Sequence, residues 1–420
     1  MKNMIKFGCV ADDFTGASDA ASFLVKGGLN ACLFNGVPDD NIDFDCDAIV
    51  IALKTRTQET TSAISDTEAA VEWLKNQGAQ QLFFKYCSTF DSTKDGNIGP
   101  ILDKILEKYN EKYTILCPAL PVNGRTVKDG NLYVYDIPLH ESHMKNHPLT
   151  PMWDSSIANL MKPQSKYECF NLTIDMMQLT DHEIFKMIHE FGENKEHFYV
   201  ITDYVNDADA ERIMELFGTL PILTGGSGLM EKIGNQLSDH TQPVKQVRTN
   251  TKGKGLLLAG SCSKATLEQI TYFKNRNGKS VKIDPLKLMN GEQTIEDLWN
   301  ICLDNPDEAL LIYSSDETDR VKEIQKTGKE NVAHLLESTM AELAKRAVEE
   351  EYTRIIVAGG ETSGAVTKGL GFEQYKIGDS VVPGVPVMIP LNRNEVRLVL
   401  KSGNFGQEDF FIRALQMTKE

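Results

Sequence analysis

Short apolar, β-rich runs alternate with helical stretches through most of this chain, and that alternation restricts the fold more than any other feature of its sequence. Ala48–Ala52 reads as a strand, the stretch from about Thr60 to Gln77 has the 3.6-residue apolar period of a helix, and Leu82-Phe83-Phe84 reads as a strand again. Strand, helix and strand in succession make βαβ units and a mainly parallel sheet. Ile5–Val10, Thr114–Cys117, Phe198–Ile201 and Pro221–Thr224 supply further strands. Between about Ser238 and Gly255 the apolar residues thin out, as expected of a linker. The alternation restarts at Leu256–Ala259 and continues through Ala309–Tyr313, a long helix near Asn331–Glu350 and Arg354–Ala358. The expected fold is therefore α/β: two domains, residues 1–240 and 254–420, with mainly parallel sheets and an interdomain cleft.

The 420 residues are enough for each domain to bury a core of its own. A formal net charge of −16 argues against nucleic acid or an anionic membrane as partner, because both are bound through basic surface. If the ligands are anions, local cations, helix N-termini or Mg²⁺ must supply the attraction. No run of eighteen apolar residues and no signal-peptide pattern occurs, so a cytoplasmic location is expected. The eight cysteines are scattered singly without a CxxC pair, which signals neither a zinc site nor a disulfide framework, and metal ligands stay unassigned.

In the second half, three apolar strands run directly into turns of glycine and hydroxyl residues. Ile355–Ala358 leads into Gly359-Gly360-Glu361-Thr362-Ser363-Gly364, Leu256–Ala259 into Gly260-Ser261-Cys262-Ser263, and Val396–Leu400 into Lys401-Ser402-Gly403-Asn404-Phe405-Gly406. Strand, glycine turn and helix N-terminus leave backbone N–H groups and the helix dipole pointing at an anion. The carboxyl edge of an open α/β sheet is also where ligands bind. The competing reading is that Thr362, Ser363 and the serines of the second turn only cap helices. Gly359 to Gly364 has the spacing of a Walker A loop, but Ala365-Val366 stand where Lys-Ser/Thr is required, so this is not a P-loop. No G-x-G-x-x-G follows the first strand, which disfavours a dehydrogenase.

In the first half, Asp12-Asp13 follow the strand ending at Ala11. Two adjacent carboxylates there can supply a general base or bind hydroxyls and Mg²⁺, or simply cap a helix over Ala17–Lys26. Lys54-Thr55-Arg56, Lys85 with Asp91-Ser92, and Arg125 each place a cation and small polar groups just beyond a strand, which suits a carboxylate and several hydroxyls. His147 adds a ligand candidate in a proline-stiffened loop, His147–Met152.

Taken in order, these motifs resemble the four-carbon acid sugar kinase family over nearly the whole chain. The matching stretches are ADDFTGA (11–17), Lys54–Arg56, FKYCSTFDSTKDGNIG (84–99), CPALPVNGRT (117–126), NHPLTPM (146–152), Gly260–Ser263, GGETSGAV (359–366) and KSGNFGQEDFF (401–411). KYCSTFDST, NHPLTP and KSGNFG resemble the variants of the subgroup that acts on 3-oxo-tetronate. Threonate and erythronate kinases more often carry a shorter K-x-DSTLRG pattern, from which Phe90–Gly96 departs.

The resemblance implies an ATP-dependent kinase that phosphorylates the C4 hydroxyl of 3-oxo-tetronate in four-carbon sugar acid catabolism. The sugar acid would bind the N-terminal domain and ATP the C-terminal one. Carried over residue by residue, ATP contacts fall on Ser261, Gly359, Gly360, Glu361, Thr362 and Gly403. On charge and position, Arg56, Lys85 and Arg125 are expected to hold the substrate carboxylate, with Asp91, Ser92 and His147 as further contacts. Asp13, then Asp12, is the expected base for the hydroxyl at the far end. Mg²⁺ is expected with ATP, because no Walker lysine offsets the phosphoryl charge. The alternatives are a threonate or erythronate 4-kinase of the same family and, in a different class, a non-catalytic sugar-acid-binding protein. Whether the chain forms a homo-oligomer stays open.

Overall fold

The computed structural model describes residues 5–38, 44–147, 150–239, 247–304, 309–316 and 329–420. They form two compact units, Met1–Lys245 and Gln246–Glu420. Pro148 and Leu149 of the proline loop and residues 240–246 of the expected linker lie outside the described residues.

The first unit is built on a parallel sheet of β1 (Phe7–Ala11), β2 (Ala31–Asn35), β3 (Ala48–Ala52) and β4 (Gln81–Lys85), joined later in the chain by β11 (Ile222–Gly225). β1 lies between β3 and β4, with β2 beyond β3 and β11 beyond β4. Every residue of β1, β3 and β4 is buried, as required of a sheet covered on both faces. The chain leaves β1 for β2, returns to β3, and only then crosses to β4 on the other side of β1. That reversal opens a crevice at the carboxyl end of β1.

The excursion before β11 holds β5 (Tyr113–Leu116), β6 (Arg125–Lys128), β7 (Asn131–Val134), β8 (Ile137–Pro138), β9 (Cys169–Leu172) and β10 (Phe198–Thr202). β10 pairs with both β5 and β9 in a separate parallel sheet, while β6, β7 and β8 form an antiparallel ribbon. The segment leading to Arg125 therefore leaves a different sheet from those leading to Asp12, Arg56 and Lys85. The two sheets touch where Cys117 bridges to Gly225. A Cβ on Gly225 would lie 2.2 Å from the Cys117 carbonyl oxygen, so only glycine permits the approach.

In the second unit β12 (Lys254–Ala259), β13 (Ser280–Lys282), β14 (Leu310–Tyr313), β15 (Tyr352–Ala358) and β18 (Arg397–Lys401) run parallel in the order β18-β15-β12-β14-β13. β16 (Gln374–Val382) and β17 (Val385–Pro390) add an antiparallel edge beside β18. Leu257, Ile356 and Val399 are fully buried in its core, together with Phe410 and Phe411 of the helix Phe410–Thr418. Ala259 stands opposite Ala358, and Ala358 opposite Lys401, so the three glycine turns leave one edge side by side. Among the described residues no helix is long and apolar enough to cross a membrane.

Candidate active site

β1 ends in Asp12 and Asp13, and both carboxylates are drawn into the protein's own bonds. Asp13 caps the helix Phe14–Lys26, which starts one turn earlier than its expected Ala17 because this side chain takes up the first free donors. Its Oδ1 accepts from the Gly16 N–H at 3.0 Å and its Oδ2 from the Thr15 hydroxyl at 2.6 Å. Arg56 donates from Nε and Nη2 to the two oxygens of Asp12, each at 2.9 Å, and from Nη2 to Asp13 Oδ1 at 2.9 Å. Its remaining Nη1 lies 3.8 Å from Asp91 Oδ2. Asn97 fixes the loop that carries Arg56, donating to the carbonyls of Thr55 and Gln58 at 2.7 and 2.8 Å.

Lys85, the last residue of β4, is 3 % exposed and donates to the Tyr86 carbonyl at 3.2 Å. A Cβ on Gly16 would fall 2.5 Å from its Nζ, so the glycine admits an ammonium against the first turn of the helix. Burial disfavours that charge, but Asp19, Asp13 and Asp12 outweigh it and hold Lys85 above the ordinary lysine value. Burial likewise pushes Asp12 up, against the pull of Arg56. Asp13 is half-buried, yet Arg56, Lys85 and its two hydrogen bonds hold it below the usual carboxylate value. Asp13 is thus a firmly ionised acceptor with both oxygens engaged, and Asp12 has the greater proton affinity of the two.

Thr89 donates to Asp91 at 2.5 Å, and Asp91, Asp12, Thr55, Arg56 and Ser92 line a cavity of about 10 Å³, room for about one water. The Ser92 hydroxyl itself donates to Gln164 at 2.9 Å. Arg125 is buried, donates to the Asn123 carbonyl and stands 5.4 Å from the Tyr135 ring centroid. Its charge reaches Asp19, which ties it to the cluster. His147 is half-buried and bonds through Nδ1 to Thr150, 2.8 Å from that hydroxyl, rather than to the carboxylates. His143, not singled out from the sequence, lies within the fields of Arg125, Asp91 and His147.

Asp19 and Ser227 also escaped the sequence reading. Ser227 donates to Asp19 Oδ2, whereas Asp19 Oδ1 is buried without a partner. A signal did exist, since β11 ends at Gly225 and runs into Gly226-Ser227-Gly228 in the same strand, glycine and hydroxyl pattern that marks the second half. Burial raises the Asp19 carboxyl from 3.8 to about 6. The folded state therefore binds this proton more tightly than the unfolded chain. The resulting stabilisation is complete below pH 3.8 and is lost as pH rises through about 6. Asp19→Asn removes that dependence. Its melting temperature relative to wild type is expected to climb by about 5 °C between pH 4 and pH 7. A difference that stays constant across that range would contradict the assignment.

In the second unit the three turns interlock. Ser263 caps the helix Lys264–Asn275 and donates its hydroxyl to the Gly403 carbonyl at 2.6 Å. A Cβ on Gly403 would lie 2.2 Å from Ser261 Oγ, one on Gly260 2.1 Å from Thr362 Oγ1, and one on Gly359 3.0 Å from the Ser261 nitrogen. Gly359, at φ 129°, precedes the helix Gly360–Leu370 and supplies no side-chain cap. Neither Thr362 nor Ser363 caps that helix, and the Ser363 hydroxyl is buried without a partner. Gly360 and Glu361 are exposed at its start. Glycine backbone, small hydroxyls and an uncapped helix N-terminus make a floor suited to the phosphates of a nucleotide. Beneath it lies the buried Lys401, which the sequence reading placed at the start of the third turn without assigning it a role. Among the described residues no group of three or more His, Cys, Asp or Glu side chains could hold a metal ion.

Residues 7–233 match the family described as a sugar-binding N-terminal domain, and residues 256–411 the nucleotide-binding C-terminal domain. A 3-oxo-tetronate kinase of Brucella melitensis biotype 1 is 39% identical over 423 residues, spanning 99% of this chain and 96% of the relative. One from Pseudomonas savastanoi pv. phaseolicola is 40% identical over 419 residues, spanning 97% and 96%. A crystal structure from Salmonella typhimurium LT2, provisionally named a tRNA synthase, matches with a TM-score of 0.86 at 38% identity, covering 99% of this chain and 100% of that one.

Proposed function

Because the chain belongs to the four-carbon acid sugar kinase family, we propose that it is an ATP-dependent kinase that phosphorylates the C4 hydroxyl of 3-oxo-tetronate, giving 3-oxo-tetronate 4-phosphate. The observation that carries this reading is the identity of about 40% to 3-oxo-tetronate kinases along nearly the whole chain. The tRNA synthase name of the Salmonella structure is not carried over, since a net charge of −16 repels a polyanion.

Residues 1–240 form the sugar-acid domain and 254–420 the nucleotide domain in this reading. Arg125, Lys85 and the Nη1 of Arg56 hold the substrate carboxylate, and the four-carbon chain then presents C4 at its other end. Asp13 or Asp12 receives the hydroxyl proton: Asp12 has the higher proton affinity but both its oxygens are held by Arg56, and Asp13 also fixes the helix start. Ser261, Gly359, Gly360, Glu361, Thr362 and Gly403 face the nucleotide. ATP supplies the phosphoryl group, and Mg²⁺, carried mainly on its phosphates, offsets the charge that develops during transfer.

The test is to incubate the protein with Mg·ATP and 3-oxo-tetronate, threonate or erythronate of either hand, follow ADP, and locate the phosphate by NMR. Release of ADP is expected to be fastest with 3-oxo-tetronate, with phosphorus coupled to the C4 protons. ADP from threonate or erythronate alone moves the assignment to that kinase, and none from any acid leaves the binding-protein reading. Phosphate on C2 reverses the substrate orientation. Excess EDTA should abolish turnover and added Mg²⁺ restore it; undiminished activity in EDTA contradicts the metal requirement.

A further inference from the structure

We infer that Lys401 is a positioning residue for the nucleotide's phosphates: its ammonium holds the Ser402 carbonyl inward, which turns the Gly403 N–H outward, and it sets a positive charge under the turn. This inference rests on the reading of the three glycine turns as the nucleotide site. Lys401 is 0 % exposed. Its Nζ donates to the Gly403 carbonyl at 2.8 Å, to the Ser402 carbonyl at 3.3 Å and to the Thr266 hydroxyl at 2.8 Å. No cis peptide occurs among the described residues, so in the Ser402–Gly403 peptide the N–H points opposite to the carbonyl. An inward carbonyl therefore aims the Gly403 N–H away from the lysine. A Cβ at Gly403 would lie 2.2 Å from Ser261 Oγ and 3.0 Å from Ser263 Oγ, so the glycine lets the two turns meet.

Hydrogen bonding within the fold does not by itself account for the lysine. The Gly403 carbonyl already accepts from Ser263 at 2.6 Å and from Thr266 at 2.9 Å, which fills its two lone pairs. The groups facing Nζ are Thr266 of the helix Lys264–Asn275, the two turn carbonyls and the Phe410 ring at 5.7 Å, none of them ionisable. Burial pulls the ammonium down to about 7, with no carboxylate among the described residues opposing it. A buried cation without a counter-charge is unfavourable, and an anionic ligand at the turn supplies the missing partner.

The prediction is that function and stability move in opposite directions. Lys401→Met keeps the volume and removes the charge, so the melting temperature of the full chain should equal or exceed that of wild type. By calorimetry ATP should bind about 30-fold or more weakly, whereas AMP, with a single phosphate, should change by less than about threefold. Should the methionine variant not fold, Lys401→Gln, which retains a neutral donor, carries the same comparison of ATP with AMP. ATP affinity within about threefold of wild type, or equal losses for ATP and AMP, would overturn the role of Lys401. A wild-type protein that binds no ATP overturns the nucleotide reading itself, and this inference with it.

Discussion

Gly403→Val raises the KM for ATP by about a hundredfold or more and leaves that for the sugar acid within about threefold. Gly403 is not among the glycines with positive φ, so valine can adopt its backbone and the effect comes from space alone. The new Cβ would sit 2.2 Å from Ser261 Oγ and 3.0 Å from Ser263 Oγ, inside the contact where the turns after β18 and β12 meet. Relief comes from rotation of the two serine hydroxyls or from outward movement of the turn, and either disturbs the volume assigned to phosphate. Initial-rate kinetics with each substrate varied in turn, on a variant whose melting curve shows it folded, decide the matter. Normal ATP kinetics would remove the three turns from the nucleotide site.

Arg56→Met is expected to destabilise the chain by about 3–5 kcal/mol at neutral pH and to lower kcat/KM by about a thousandfold. The guanidinium makes three bonds of 2.9 Å to Asp12 and Asp13, and its loss leaves a buried and a half-buried carboxylate facing one another with Lys85 as the nearest compensating charge. The sign of the pH dependence follows from Asp13, whose carboxyl Arg56 helps hold below the usual value. In wild type that contribution is present above pH 3.8 and fades as pH falls. The stability deficit of the variant should therefore be largest near neutrality and shrink in acid. Urea unfolding of wild type, Arg56→Met and Arg56→Met/Asp12→Asn separates structure from chemistry. The double variant should regain much of the stability and none of the activity, because neutralising Asp12 removes a stranded charge without restoring the fork. Recovery of turnover in the double variant would overturn both the Arg56 fork and Asp12 as the base.

Much of the architecture was legible in the sequence because its determinants are local. Apolar runs such as Ala48–Ala52 and Ile355–Ala358 can only be buried strands once helical segments follow them, and parallel strands joined by crossovers carry their carboxyl ends to one edge. Hence Asp12, Arg56 and Lys85, and the turns after β12, β15 and β18, could be grouped without coordinates. Tertiary structure alone decided whom each group meets. The Arg56 fork closes on Asp12, 44 positions away, Ser227 reaches Asp19 across 208, and Lys401 reaches Thr266 across 135. Nothing in the period of a strand or helix encodes such partners. Lys401 reads locally as the first residue of a glycine turn and Asp19 as a helix acid, and it is burial, set by residues far along the chain, that turns them into charges needing a partner.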